Sequence, residues 1–146
     1  MHIPIKTYPL VPKPRIVRGL LDTSVIIDLE NIERAKLPAE IAVSALTMAE
    51  LAAGPHATND LNERAARQDR LQRIEALVDP SPFDAASFRA YGRIYAAVVA
   101  SGRKARGPRM VDLLIASTAC ALNIPLFTKN PNDFKSIEHL VKVIAL

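Results

Sequence analysis

The chain has 146 residues, of which 49% are hydrophobic, so it is long enough to form one domain with a core of its own. No apolar run approaches the roughly 20 residues of a membrane span, and the N-terminus lacks a signal-peptide core, which argues against a membrane role and predicts a cytoplasmic protein. The net charge of +4 favours a polyanionic partner, while the single cysteine excludes an internal disulfide.

Residues 1–15 contain four prolines. Proline fixes the backbone and lacks an amide hydrogen, so this segment cannot be a regular helix or a central strand. We therefore predict a proline-rich N-terminal extension at residues 1–15 and one domain at residues 16–146.

The first predicted element of the domain is a buried strand at residues 17–21, which are mostly apolar. It ends abruptly at Asp22, Thr23 and Ser24. All three residue types cap helices, so N-capping alone would explain them. An acid at the carboxyl end of a buried strand also stands where open α/β sheets bind ligands.

A second short strand is predicted at residues 41–45, followed by a helix that Thr47 would cap and that carries Glu50. Thr47 and Glu50 have the spacing of a capping box, in which the glutamate would bind a backbone amide. The alternative is that Glu50 is a second acid of a functional site.

A long helix is predicted at residues 60–77, and it carries four arginines. The pairs Glu63–Arg67 and Asp69–Arg73 have the four-residue spacing of ordinary surface ion pairs. This spacing favours a solvated face over a contact with RNA or a protein partner. The buried side is predicted to consist of Leu61, Leu71, Ile74, Leu77 and Val78.

A third strand is predicted at residues 76–79, followed by a helix that begins at Asp84. Large apolar side chains recur along this helix at helical spacing, which is typical of a core or an interface rather than a platform for stacked bases. They are Phe88, Tyr91, Tyr95, Val98 and Val99.

Gly107 and Pro108 signal the start of another helix, which is apolar on nearly all sides and is therefore predicted to be buried against a sheet. Asp112 is expected in its first turn. A carboxylate there needs a cation or hydrogen-bond donors, and Arg109 could neutralise it in a purely structural account.

The last predicted strands lie at residues 124–128 and 140–144. Between them, residues 129–133 form a polar turn that ends in Asp133 and needs no function of its own. Strands alternating with helices predict an α/β fold with a parallel sheet and right-handed crossovers.

A basic cluster precedes Asp112 in the chain, and it either guides phosphates into a cleft or forms a solvated loop. Its members are Arg103, Lys104, Arg106 and Arg109.

Four acids, Asp22, Glu50, Asp112 and Asp133, thus occur where strand ends or helix starts are predicted. Carboxylates crowded into one cleft either share protons or hold a cation. Oxygen ligands point to Mg²⁺ or Mn²⁺, whereas the three histidines show no paired spacing typical of zinc sites. Such an ion is best suited to phosphodiester hydrolysis, with either one metal or two.

The ordered set of motifs from about Arg18 to the C-terminus resembles the VapC toxins of the PIN-domain family. The motifs that carry the resemblance are Leu21–Val25, the helix with Glu50, Tyr91–Arg93, Asp112–Ala116, Thr128–Asn130 and Asp133–Phe134. The resemblance implies a three-layer α/β/α domain with a mostly parallel central sheet and Mg²⁺- or Mn²⁺-dependent endoribonuclease activity. It also implies a cognate VapB antitoxin, an RNA substrate and a homodimer.

The resemblance further implies roles for individual residues. Asp22, Glu50 and Asp112 match the core acids of the family. Asp133 is expected as the fourth acid, although the match leaves open whether Asn130 or Asp133 faces the metal. Ser24 and Thr128 are expected to orient carboxylates or water.

Two other functions are compatible with clustered acids. A phosphoacceptor receiver domain also collects acids around Mg²⁺ at strand ends, but it would need paired acids early in the chain, and Asp22 has no acidic neighbour. The second alternative is a catalytically silent module whose acids serve only to dock an antitoxin.

Overall fold

A computed structural model describes residues 16–104 and 107–146 of the chain. The described residues form one sheet of four parallel strands in the order β2-β1-β3-β4. The strands are β1 Arg18–Leu21, β2 Glu40–Val43, β3 Leu126–Thr128 and β4 Val143–Ala145. The α/β fold class with a parallel sheet is thereby confirmed.

Within the described ranges, five α-helices accompany the sheet: α1 Thr23–Ile27, α2 Ala45–Ala53, α3 Leu61–Leu77, α4 Ala85–Ala100 and α5 Pro108–Leu122. Alternate strand residues point to opposite faces of a sheet, so each face has its own apolar core. Leu20 and Leu126 pack with α4 and α5 on one face. Leu21 and Phe127 pack with α1, α3 and Leu51 of α2 on the other, which gives the expected three layers.

The strand predicted at residues 76–79 does not form, and this prediction was wrong. Helix α3 continues to Leu77, and Val78 ends it with a backbone bond to Ile74. Pairing in this region is limited to an isolated parallel bridge between Ser44 and Ser81. A short apolar run does not distinguish the end of a helix from a strand, which explains the error.

The second helix begins earlier than predicted. Ser44, and not Thr47, is its N-cap, and the Ser44 hydroxyl accepts a bond from the Leu46 amide. Thr47 is fully buried inside the helix, so the proposed capping box with Glu50 is also wrong. The predicted starts of α3 and α4 are correct to within a residue, because Asp60 and Asp84 are their N-caps and accept backbone amides of the first turn.

Two predictions near the acidic residues also change. Helix α5 begins at Pro108, so Asp112 is its fifth residue and lies one turn inside the helix rather than in the first turn. The turn before the last strand is part of a 3-10 helix, Pro131–Ile137, which we call the Asp133 segment. The final strand accordingly starts later, at Val143.

The predicted buried side of α3 is only partly correct. Ile74 is buried, but Leu61 and Leu77 are more than 70% exposed. The apolar stripe of α4 is likewise divided, because Val98 is buried in the core whereas Phe88, Tyr95 and Val99 are exposed. The N-terminal extension at residues 1–15 lies outside the described residues. Within the described ranges, no helix combines the length and apolarity that crossing a bilayer requires.

Candidate functional site

The candidate site lies at the carboxyl edge of the sheet, where three neighbouring strands end. Asp22 follows β1 directly, Ser44 follows β2, and Thr128 is the last residue of β3. Because β1 lies between β2 and β3, Asp22 stands between the ends of the other two strands. This is the edge at which parallel α/β sheets bind ligands.

Asp22 is buried, with 5% of its surface exposed, and its carboxylate is held by three donors. The Thr128 hydroxyl donates to Oδ2 at 2.5 Å. Oδ1 accepts the Ser24 hydroxyl and, at 3.3 Å, the Val25 amide. The amide bond makes Asp22 the N-cap of α1, so the capping interpretation is correct as well. A carboxylate has about four acceptor positions, which leaves room for a further ligand.

Thr128 and Ser24 are themselves fixed in place. Thr128 is fully buried, and its hydroxyl also accepts the backbone amide of Asn130 at 3.0 Å. The Ser24 hydroxyl accepts the amide of Lys129 at 3.2 Å. Both residues therefore connect Asp22 to the segment that follows β3. Asn130 lies near the start of this segment, and its side chain is exposed.

Glu50 is exposed on α2, and Thr23 holds its carboxylate. The Thr23 hydroxyl donates to Glu50 Oε1 at 2.7 Å and lies 3.1 Å from the hydroxyl of Thr47. Thr23 can donate only one proton, so both contacts are satisfied when buried Thr47 donates to Thr23 and Thr23 donates to Glu50. Sequence reasoning treated Thr23 only as a capping residue, and its position beside Asp22 was the one available signal.

Asp112 is half-buried on α5, and its pKa is raised from 3.8 to about 6. Burial is the largest cause, since it penalises the charged form. The negative charges of Asp22, Asp133 and Glu50 raise the pKa further, whereas the nearby charge of Arg109 lowers it. All three other candidate acids are thus close enough to Asp112 to act on its charge. We call these four carboxylates the acidic cleft.

Asp133 is exposed, and the structure anchors it through its backbone. Its carbonyl accepts a bond of 2.7 Å from Arg109 Nη2, and its amide donates to the Asn130 carbonyl at 3.1 Å. Arg103 Nη1 donates to the carbonyl of Asn132 at 3.1 Å. Two members of the basic cluster therefore bind the Asp133 segment. Lys104 is exposed, and Arg106 lies outside the described residues.

The acidic cleft is not a closed metal cage in this conformation. Among residues 16–104 and 107–146, no three acids, histidines or cysteines are arranged so that they could already hold an ion. The candidate ligands do match a hard cation, because all four are carboxylates, and hydroxyl groups hold two of them, Asp22 and Glu50. Glu50 and Asp133 are exposed, so their side chains have room to move towards Asp22 and Asp112.

Three of the four arginines of α3 take part in ion pairs or hydrogen bonds. Arg67 pairs with Glu63 at 2.9 Å and Arg73 with Asp69 at 3.0 Å, as their spacing predicted. Arg64 donates to the carbonyls of Pro55 and Thr58. Arg70 lines a cavity of about 320 Å³ that opens beside Glu50 and Thr23.

Comparison with known proteins adds independent information about the chain. Residues 19–140 match the model of a family described as PIN domain. The chain is 31% identical over 128 residues to Ribonuclease VapC5 of Mycobacterium tuberculosis, a match that covers 86% of this chain and 91% of that protein. It is 32% identical over 129 residues to Ribonuclease VapC of Rickettsia bellii, covering 83% and 91% of the two chains.

A solved structure gives the same relationship in three dimensions. One chain in the crystal structure of VapBC-5 from Mycobacterium tuberculosis, a member of the VapBC family of toxin-antitoxin systems, matches with a TM-score of 0.76. The two chains are 30% identical, and the match covers 89% of this chain and 99% of the other. The residues matched by the family model, 19–140, include all four acids of the cleft.

Proposed function

Because the chain belongs to the PIN-domain family, and within it to the VapC ribonucleases, we propose that it is a toxin endoribonuclease that cleaves RNA phosphodiester bonds at the acidic cleft. The observation that carries this assignment to a site is the raised pKa of Asp112, which reports the nearby charges of Asp22, Asp133 and Glu50. Four carboxylates near one another at the ligand-binding edge of a parallel sheet are difficult to explain by stability, since their charges repel.

We further propose that the acidic cleft takes up Mg²⁺ or Mn²⁺ through Asp22, Glu50, Asp112 and Asp133. The support is chemical, because carboxylate oxygens are the ligands these ions prefer. A bound divalent ion lowers the pKa of a water molecule and stabilises charge on the phosphate.

The residues of the chain prepare the cleft for this reaction. Three donors fix the carboxylate of Asp22, so it keeps one orientation when substrate enters. Thr23 orients Glu50, and a cation bound in the cleft would favour the ionised form of Asp112. Single-stranded RNA would lie along the open side of the cleft, where the cavity beside Glu50 offers space.

The proposed partners follow from the same family membership. The solved VapBC-5 structure is described as a member of a toxin-antitoxin family, and we propose a VapB-type antitoxin for this chain too. A homodimer is proposed as well. The receiver alternative is not retained, because the chain belongs to a different family.

The decisive experiment substitutes Asp22→Asn and Asp112→Asn and measures RNA cleavage with Mg²⁺ or Mn²⁺, together with growth arrest in cells. We expect both variants to fold and to lose cleavage and toxicity, because each removes a charged oxygen ligand. Asp79→Asn, an exposed acid-to-amide change away from the cleft, is the matched control and should retain full activity.

Full activity in both cleft variants would contradict the site. Calorimetric titration of Mn²⁺ into the wild-type protein separates the silent alternative, because a cleft that only docks an antitoxin would take up no ion.

A further inference from the structure

Arg109, a member of the basic cluster before Asp112, binds a distant part of the chain that the sequence did not indicate. Arg109 is the second residue of α5, and its Nη2 group donates to the backbone carbonyl of Asp133 at 2.7 Å. Asp112 stands three residues later on the same helix. Arg109 therefore joins the start of the helix that carries one acid to the backbone of the segment that carries another.

The Asp133 segment is also held by apolar packing on its inner side. Its apolar residues Phe134 and Ile137 are almost completely buried and anchor it in the core beneath α4 and α5. Its outer side, with Asn132 and Asp133, is exposed. Arg103 adds a second bond from outside, to the carbonyl of Asn132 at 3.1 Å. The apolar core thus holds the inner side of the segment in place, while Arg103 and Arg109 hold its exposed backbone.

The buried Nε atom of Arg109 supports a positioning role for this residue rather than a direct contact with substrate. Its Nε atom is buried and has no hydrogen-bond partner among the described residues. Burying a guanidinium donor without a partner costs free energy, so something else must hold the side chain in place. The short bond to the Asp133 carbonyl and the negative charge of Asp112 provide that attraction.

We propose that Arg109 is a positioning residue, which holds the Asp133 segment against helix α5 so that Asp133 and Asp112 keep the spacing the cleft needs. This inference rests on the proposed function, since it gives Asp133 a place in the cleft. Arg103 supports the same segment from its exposed end. The basic cluster therefore acts on the protein's own backbone at these two positions, rather than on RNA phosphates.

The test compares Arg109→Met with Arg109→Lys and with the control Lys135→Met, which removes an exposed positive charge from the same segment. Three quantities are measured: hydrogen exchange of the Asp133 amide in metal-free protein, the affinity for Mn²⁺, and kcat and KM for a short RNA. We expect Arg109→Met to speed exchange, to weaken Mn²⁺ binding about 10-fold or more and to lower kcat with KM unchanged. Arg109→Lys should recover part of each effect, and Lys135→Met should resemble the wild type.

A raised KM with unchanged exchange and Mn²⁺ affinity would overturn the proposal, because it would show that Arg109 binds substrate. If Arg109→Met does not fold, Arg103→Met provides the same test from an exposed position, with smaller changes expected in exchange and Mn²⁺ affinity; no change in either would also overturn the proposal. Failure of the proposed function is distinguishable, because in that case the wild-type protein would itself neither bind Mn²⁺ nor cleave RNA.

Discussion

At the scale of single residues, Thr23 connects the buried part of the molecule to the exposed carboxylate of Glu50. It lies within hydrogen-bond distance of Thr47, which is fully buried, and donates to Glu50 at 2.7 Å. Thr23→Val keeps the shape but removes the hydroxyl, so Glu50 loses its fixed orientation. We expect cleavage to fall roughly 10-fold, as for other groups that orient metal ligands.

Thr23→Ser provides the control for this prediction, since it keeps the hydroxyl and removes only a methyl group. Steady-state cleavage of one RNA by the three proteins measures the effect, and circular dichroism checks the fold. Equal loss in Thr23→Ser and Thr23→Val would show that the methyl group, and not the hydroxyl, is what matters.

Asp112 gives the metal-free protein a pH-dependent stability. Its pKa is 3.8 in the unfolded reference and about 6 in the folded protein, so the folded state binds the proton more tightly. The free energy of unfolding should therefore fall as the pH rises from about 4 through 6 and level off above that, because ionised Asp112 is disfavoured only in the folded state. The change is modest, since Asp112 is only half-buried.

Urea unfolding from pH 4 to 8 in the presence of a chelator measures this effect. Asp112→Asn removes the ionisation, so we expect it to be more stable than the wild type above pH 6 and to lack most of the decline. An unchanged decline in the variant would assign the pH dependence to another group.

At the scale of elements, Gly19 of β1 leaves the space that the Phe127 ring of β3 occupies. A Cβ atom at this position would lie 2.3 Å from Cε1 of the buried Phe127 ring and 3.1 Å from Pro38 Cγ. Gly19→Ala should destabilise the protein by about 1–3 kcal/mol, because the Phe127 ring is buried in the core and must shift to make room.

Gly92→Ala is the matched control, since a Cβ atom at Gly92 on α4 meets nothing within 4 Å. In a helix this change should stabilise the protein by roughly 0.5–1 kcal/mol. Chemical denaturation of both variants measures the difference, and a neutral Gly19→Ala would show that the Phe127 ring can shift without cost.

The elements also show what the sequence could predict. The starts of α3 and α4, directly after Asp60 and Asp84, are predicted to within a residue because each helix begins behind a strong capping residue. Short apolar runs are predicted less well, because the pattern at residues 76–79 is compatible with both the end of a helix and a strand. The cap of α2 is ambiguous in the sequence for a similar reason. Ser44 and Thr47 are both good capping residues, and only the end of β2 shows that Ser44 is the cap.

At the scale of the whole molecule, the parallel sheet and the candidate acids could be predicted because strands and helices alternate along the chain and the acids belong to an ordered set of motifs. The contacts that orient those acids could not. Thr23 with Glu50, and Arg109 with the Asp133 carbonyl, join residues 27 and 24 positions apart, and no local pattern records such pairs. The sequence therefore indicates which residues form the cleft, and the tertiary structure indicates what holds them.

The bond between Thr128 and Asp22 joins residues 106 positions apart, across the two central strands of the sheet. Translation delivers the N-terminal part of a polypeptide first, so Asp22 is made long before its partner. A nascent copy of this chain therefore cannot complete its cleft until the segment around Thr128 has left the ribosome. The order of synthesis itself keeps the cleft incomplete for most of the time that the chain is being made.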